Sequence, residues 1–193
     1  MEGKTLKPQN NTQPSSEVST WALIDEGKFE EAELRGNQEL KEIIAKLGGE
    51  NFVEVARVHQ ALGQVYLVLS KFDESIESYT QALKIYTKVL SENSQEVAKV
   101  HNEIGVAYDY KGDKELALKH MKKSLEMLTK ILGSDSEELF YPNLALANFY
   151  NKISKYAEAI EVGNAALKLG LKYLPADHPE MIGCYSSLAL SYQ

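Results

Sequence analysis

The stretch Val100–Leu125 reads VHNEIGVAYDYKGDKELALKHMKKSL and has two gapless counterparts elsewhere in the chain. One counterpart starts 42 residues earlier, at Val58, and reads VHQALGQVYLVLSKFDESIESYTQAL. The other starts 42 residues later, at Pro142, and reads PNLALANFYNKISKYAEAIEVGNAAL. Small residues recur at one position of the period and tyrosines at another: Gly63, Gly105, Ala147 and Ala189; Tyr66, Tyr108, Tyr150 and Tyr192. A fixed period of this length predicts a solenoid of stacked structural units.

Each unit is predicted to contain two helices. Apolar residues at Leu62, Val65, Tyr66 and Leu69 follow the i, i+3, i+4, i+7 spacing of an amphipathic helix, and a second such series starts at Ile76. Short polar breaks (SKFD, KGDK, ISKYA) separate the two helices, and turn-rich segments (SENSQE, GSDSEE, PADHPE) join one unit to the next. The fold class that follows is all-α: a solenoid of antiparallel helix pairs.

The period divides the chain into about four and a half repeats. Residues 1–14 form a polar tail that we expect to be disordered, and residues 15–54 read as a degenerate first repeat. The remaining units are 55–96, 97–138 and 139–180, followed by a terminal half-repeat or capping helix at 181–193. Terminal repeats are commonly atypical because they cap the stack.

Composition excludes several classes of function. The 193 residues carry a formal net charge of −7, which argues against nucleic-acid binding because neutralising phosphates requires clustered Lys and Arg. No run of about 18 apolar residues occurs, so we expect no membrane insertion. The N-terminus lacks the apolar segment of a secretory signal. One cysteine among 193 residues forms no internal disulfide, which fits a reducing compartment and a cytoplasmic location.

The spacing of the recurring residue types within a unit resembles the tetratricopeptide repeat (TPR), and this resemblance implies a right-handed superhelical solenoid. The small residue, the tyrosine three positions later and the alanine nine positions after that stand at Gly105, Tyr108 and Ala117, and Ser75 replaces the alanine in the first full unit. The 42-residue period, longer than the usual 34, is similar to that of kinesin light chains. HEAT and armadillo arrays have similar periods, but the small residue followed by tyrosine favours the TPR.

The resemblance implies that the residues two, five, nine and twelve positions after the first residue of each unit face a concave groove lined by the first helices. The candidate peptide-binding residues are therefore Arg57, Gln60, Gln64, Leu67, Lys99, Asn102, Val106, Asp109, Tyr141, Leu144, Asn148 and Asn151. Amides can bond a peptide backbone, and Arg57 and Lys99 could meet acidic side chains. The carboxylate clamp of chaperone-binding TPR modules is absent, since the matching positions hold Gln60, Gln64, Glu103, Tyr141 and Ala145.

No residue cluster predicts catalysis, a cofactor or a metal. Asp177 and His178 precede Pro179 in a loop between units, so they are expected to form a helix-entry turn, with Cys184 packed as a small apolar residue in the next helix. His59 and His101 occupy the same position of successive repeats (they are register mates) and are predicted to be partly buried packing residues. His120 lies among lysines and is predicted to be solvated. The tyrosines of the ladder are expected in the core.

Three functional hypotheses remain. The first is a non-enzymatic scaffold that binds a peptide segment of a partner protein in the groove. The second is a structural element that self-associates through its terminal helix or convex face, where the second helix carries Lys114, Lys119, Lys122, Lys123 and Lys130. Such a lysine face is either simply solvated or a patch for an acidic partner. The third, an enzyme, lacks a cluster of titratable residues.

Overall fold

The computed structural model describes residues 19–175 and 177–193, and over these residues the chain is helical with no strand. The predicted tail at 1–14 and the start of the predicted degenerate repeat, 15–18, lie outside the described residues. The helices are α1 (Thr20–Asp25), α2 (Phe29–Leu47), α3 (Val53–Val68), α4 (Phe72–Val89), α5 (Gln95–Lys111), α6 (Lys114–Leu132), α7 (Phe140–Lys152), α8 (Tyr156–Tyr173) and α9 (Pro179–Ser191), with a 3-10 turn at Glu137–Leu139 before α7.

The helices pack in sequence order as antiparallel pairs. The closest pairs are α3 with α4, α5 with α6 and α7 with α8, and each second helix also packs on the first helix of the next unit. The predicted solenoid of helix pairs is therefore confirmed. The division into repeats stays a prediction. The short helix α1, whose Leu23 is buried, takes the position of the first helix in the predicted degenerate repeat.

The loops between paired helices end one helix and cap the next. Gly112 has a φ of 94°, the left-handed conformation that terminates α5, and the Asp113 carboxylate accepts a hydrogen bond of 3.0 Å from the backbone N–H of Leu116 at the start of α6. Between units, the Ser94 hydroxyl accepts a hydrogen bond of 3.3 Å from the N–H of Val97 and so caps α5. The helix end predicted at Gly112–Asp113 is confirmed.

The repeated small residue marks the closest approach of the two helices in a unit. A Cβ added to Gly63 would lie 2.6 Å from Cδ1 of Tyr79, and one added to Gly105 would lie 2.7 Å from Cγ of Met121 and 3.1 Å from the carbonyl oxygen of Ala117. Glycine at these positions therefore allows α3 to lie against α4, and α5 against α6, more closely than a side chain would permit.

Four side chains are less buried than the ladder predicts, and two of them, the tyrosines Tyr66 and Tyr108, are half-buried. Tyr192 was expected in the core, yet 67% of its surface is exposed, because no helix in the described part of the chain covers that face of α9. Its register mate Tyr150 is only 6% exposed and packs among residues of α6, α7 and α8. Leu125 is half-buried rather than enclosed between units, since it lines an open cleft beside α6.

Candidate functional site

The first helices α3, α5 and α7 are joined into one row by polar contacts between successive units. The Gln60 amide on α3 contacts Glu103 on α5, and the Lys152 ammonium on α7 lies 2.6 Å from an Asp109 carboxylate oxygen on α5. Both contacts join residues about one repeat apart. The candidate groove residues lie along this row.

The twelve candidate residues differ in their accessibility. Four are exposed: Arg57, Lys99, Tyr141 and Asn148. Six are half-buried: Gln60, Gln64, Leu67, Asn102, Val106 and Asp109. The other two, Leu144 and Asn151, are buried.

The prediction that Leu144 and Asn151 line the groove is wrong, because α7 turns this face toward the interior and α9. Leu144 is 5% exposed and packs in a core cluster with residues of α8 and α9. The Asn151 amide donates to the backbone carbonyl of Ser187 at 2.8 Å, and its oxygen accepts a hydrogen bond of 2.8 Å from the Ser191 hydroxyl. Asn151 thus fixes α9 to α7 and is not available to a ligand.

A half-buried glutamate, Glu103, lies at the centre of the row. The amide nitrogen of Gln60 donates to both carboxylate oxygens of Glu103, at 2.7 and 2.9 Å, while the Tyr86 hydroxyl donates to the Gln60 oxygen at 3.2 Å. This chain connects α4, α3 and α5. It fixes the orientation of the Glu103 carboxylate without supplying a charged partner.

Burial is the main influence on Glu103. Loss of solvation raises the pKa of this carboxyl from 4.5 to about 7, and the Gln60 hydrogen bond and the charge of Lys99 oppose that rise. Close to neutral pH the group therefore exchanges between its charged and neutral forms. A perturbed carboxyl in a cleft is a candidate for a functional role.

A cavity of about 280 Å³ opens beside Glu103 between α5, α6 and the start of α7. Its lining comprises Lys99, Asn102, Glu103, Leu128, Glu138, Tyr141 and Pro142. Three of these residues (Lys99, Asn102 and Tyr141) are candidate groove residues, so candidates from two successive units converge on one site. The amide oxygen of Asn102 is buried and has no hydrogen-bond partner.

The sequence analysis did not select Glu103, Glu138 or Leu128 as site residues. A signal for Glu103 was present, because its register mates are Ala61 and Ala145. An acid where the other units hold alanine indicates a local requirement for charge. Glu138 and Leu128 carried no comparable signal, since they reach the cavity from the connecting turn and from a second helix.

A larger cleft of about 620 Å³ separates α6 from α7 and α8. Apolar side chains form its floor (Leu125, Leu146, Tyr150, Val162), and charged ones stand at its edge (Lys122, Glu126, Lys130, Glu158, Glu161). The five lysines singled out on α6 are all exposed, and Lys130 pairs with Glu126 at 2.6 Å. The charged residues at the edge are of both signs, so they do not favour a ligand of one charge.

The histidines of the central unit pair with each other. Nδ1 of His101 lies 3.0 Å from Nδ1 of His120, so one ring donates and the other accepts. His120 is half-buried, so the prediction that it is solvated is wrong: α6 packs it against His101 and Tyr108. Burial lowers the pKa of both, that of His101 to about 4. Among the described residues no group of three or more metal-ligating side chains exists.

The Asp-His-Pro stretch is a helix entry, as predicted. His178 is the N-cap of α9, its Nδ1 accepts a hydrogen bond of 3.3 Å from the N–H of Glu180, and Pro179 occupies the first turn. Cys184 is fully buried in the next turns, 3.8 Å from the carbonyl of Gly163, and burial raises the pKa of its thiol. The two groups belong to helix capping and packing.

Comparisons with known proteins agree with this architecture. Residues 54–130 match the family model of the tetratricopeptide repeat. A Podosopora anserina protein assigned as a kinesin light chain, with nearly identical TPR-like repeats, superposes with a TM-score of 0.73 at 21% identity, over 90% of this chain and 82% of that one. BtubC (BKLC) from P. vanneervenii superposes with a TM-score of 0.77 at 19% identity, over 90% of this chain and 68% of that one. A search of curated proteins finds no match.

The chain thus has the fold of these TPR-like repeat proteins, and the predicted resemblance to TPR and kinesin light chain repeats is confirmed. TPR repeats are generally protein–protein interaction scaffolds, and no enzyme family is indicated. Among the described residues, no helix is both long and apolar enough to cross a lipid bilayer.

Proposed function

We propose that the protein is a non-enzymatic scaffold that binds a peptide segment of a partner protein along the row of first helices α3, α5 and α7. The observation that carries this proposal is the convergence of Lys99, Asn102 and Tyr141, from two successive units, on one cavity. A ligand that follows the row would contact several units at once, as extended peptides do in solenoid grooves.

The chemistry of the row suits a peptide backbone. Gln64 and Asn148 present amides that donate to and accept from main-chain groups, and Arg57 and Lys99 present cations at the edge. Tyr141 adds an exposed aromatic surface, the kind of side chain enriched in interaction sites. The proposed ligand is therefore a protein or peptide, and not a cofactor or a nucleic acid. We place this interaction in the cytoplasm.

A peptide-display selection tests the proposal directly. Peptides of about twelve residues selected on the folded protein should lose binding to an Arg57→Glu, Asn148→Ala variant, with unchanged circular dichroism. A matched control, Lys122→Glu, carries the same single charge reversal on α6 and should keep the affinity. If the row variant bound the peptides as tightly as the control variant and the parent protein, the first-helix row would be excluded as the site.

A second candidate function, assembly through α9, has an observation of its own. Ile182, Tyr185 and Tyr192 are 68%, 50% and 67% exposed on one face of α9. Their register mates Phe140, Asn143 and Tyr150 are 2%, 5% and 6% exposed, within the α7–α8 pair. The face therefore has the position and residue types of a helix-packing surface.

Sedimentation velocity distinguishes this candidate from the first. If α9 mediates self-association, the mass should rise with concentration, and Ile182→Glu should abolish the rise. Val68→Glu introduces the same charge at a half-exposed apolar position on α3 and should leave association intact. A monomer at all concentrations would exclude assembly of like chains through α9.

A further inference from the structure

We propose that the cavity between α5, α6 and α7 binds a basic side chain, lysine or arginine, of the partner peptide. This inference rests on the proposed groove function, because the cavity opens among the groove residues of α5 and α7. It adds a specificity to that function: one position of the bound peptide must carry a long cationic side chain.

The interior of the cavity offers acceptors that are short of donors. The Glu103 carboxylate has room for about four hydrogen bonds, and the Gln60 amide nitrogen serves both of its oxygens. The buried amide oxygen of Asn102 has no partner. The Glu103 oxygens have acceptor positions left over, so a ligand that brings several N–H groups gains by entering. Ammonium and guanidinium groups bring three to five donors and no acceptor.

The walls match the stem of such a side chain. Leu128 and Pro142 are apolar, and the exposed ring of Tyr141 can lie against aliphatic carbons or a cation. The Glu138 carboxylate, held ionised by a pKa lowered through its contact with Ser136, adds negative charge at the edge. The cavity is smaller than pockets for drug-sized ligands, roughly 300–1,000 Å³, and suits one side chain.

Other side chains fit the site less well. An acidic residue would meet Glu103 and Glu138, and like charges in a confined site disfavour binding. An apolar residue of equal length would cover the Glu103 carboxylate without satisfying it, which is costly for a polar group. The chemistry of the lining therefore selects against both classes.

Lys99 also lines the cavity, and its positive charge opposes the binding of a second cation. Its charge attracts Glu103 and Glu138 from a distance, and so partly occupies the role proposed for the ligand. Replacing Lys99 with methionine keeps the length of the side chain and removes its charge. This substitution should tighten the binding of a cation, opposite to the effect expected for an acidic ligand.

Binding should also release a proton. Burial raises the pKa of Tyr79 and Tyr86 on α4, the contact with Ser136 lowers that of Glu138, and Gln60 is neutral, so Glu103 is the group facing the cavity that changes charge near pH 7. A cation stabilises its charged form. The affinity should therefore rise between pH 6 and pH 7, by up to about tenfold for one linked proton.

The experiment uses three small probes and isotopically labelled protein. N-acetyl-lysine methylamide, N-acetyl-arginine methylamide and the uncharged N-acetyl-norleucine methylamide are titrated while NMR signals of the Asn102 amide and Tyr141 are followed. We expect saturable shifts with the basic probes, weaker by at least tenfold in Glu103→Gln and stronger in Lys99→Met. Comparison of the two basic probes shows which cation the cavity prefers.

The proposal is overturned if norleucine binds as well as lysine and arginine, or if Glu103→Gln leaves both basic probes unaffected. The display selection separates this failure from failure of the groove itself. Peptides that need Arg57 and Asn148 but tolerate loss of every basic residue would leave the groove standing and remove the basic-residue pocket. If the basic probes bound the cavity but no selected peptide depended on Arg57 and Asn148, the basic-residue pocket would stand and the groove would be excluded as a peptide site.

Discussion

The amide nitrogen of Gln60 lies 2.7 Å from one carboxylate oxygen of Glu103 and 2.9 Å from the other, across 43 residues of sequence. The contact joins two successive first helices at the face proposed to receive a ligand. It holds a half-buried acid in place with a neutral donor. Much of the expected behaviour of the protein follows from this pairing.

Glu103→Gln should stabilise the fold at pH 8 and do so much less at pH 5. The carboxyl has a pKa of about 7 when folded and about 4.5 when unfolded, so between these values the folded state binds the extra proton and stability falls as pH rises. Above pH 7 the full penalty of the buried charge remains, and its removal should contribute about 1–3 kcal/mol. Urea unfolding at both pH values measures the difference.

Glu138→Gln is the control for that comparison. A contact with Ser136 lowers the pKa of Glu138, so its contribution to stability is lost only as pH falls below its ordinary range near 4.5. Its effect should be the same at pH 5 and pH 8 within error. If Glu103→Gln also showed no pH dependence, the carboxyl would not be buried as described.

The histidine pair should show the opposite dependence. Burial lowers the pKa of His101 and His120, so above pH 6.5 both are neutral in either state, and stability is lost as pH falls through their folded pKa values. A double-mutant cycle with His101→Gln and His120→Gln should give a coupling that favours folding at pH 8, of about 1 kcal/mol. At pH 4 the coupling should vanish or reverse. An unchanged coupling would contradict the contact between the two Nδ1 atoms.

Gly105→Ala should destabilise the protein although alanine favours helices. The added Cβ would lie 2.7 Å from Met121 and 3.1 Å from a backbone oxygen, and such overpacking costs typically 1–3 kcal/mol. Gly183→Ala in α9 meets nothing within 4 Å and should be neutral or stabilising by up to about 1 kcal/mol. Thermal unfolding of the two variants compares them. Equal effects would mean that α5 and α6 do not approach at Gly105.

The 42-residue period was sufficient to predict the helix pairs, their boundaries near Gly112, and the close approach at Gly63 and Gly105. It could not predict which neighbour covers a given face. Leu144 occupies the register position of Gln60 and Asn102, yet it is buried because it packs against α9 and α8. The contact between His101 and His120 was missed for a related reason, since register relates equivalent helices and not the facing residues of one pair.

Leu128→Ala should destabilise the fold more than Leu125→Ala. Leu128 is 1% exposed in the core of α5 to α9, where loss of a leucine side chain costs about 2–5 kcal/mol. Leu125 is half-buried beside the open cleft, so part of its apolar surface is already hydrated and its truncation should cost about 1–2 kcal/mol. Denaturant titration measures both. A larger effect at Leu125 would mean that the cleft between α6 and α8 is closed in solution.

The central claim is that the first-helix row binds peptide, and calorimetry with one display-selected peptide tests it most directly. We expect Arg57→Glu, Asn148→Ala to weaken binding at least tenfold and Lys122→Glu to leave it unchanged. Both variants must show the circular dichroism of the parent. If the α6 variant loses the peptide and the row variant retains it, the binding face is the outer one and the account is contradicted.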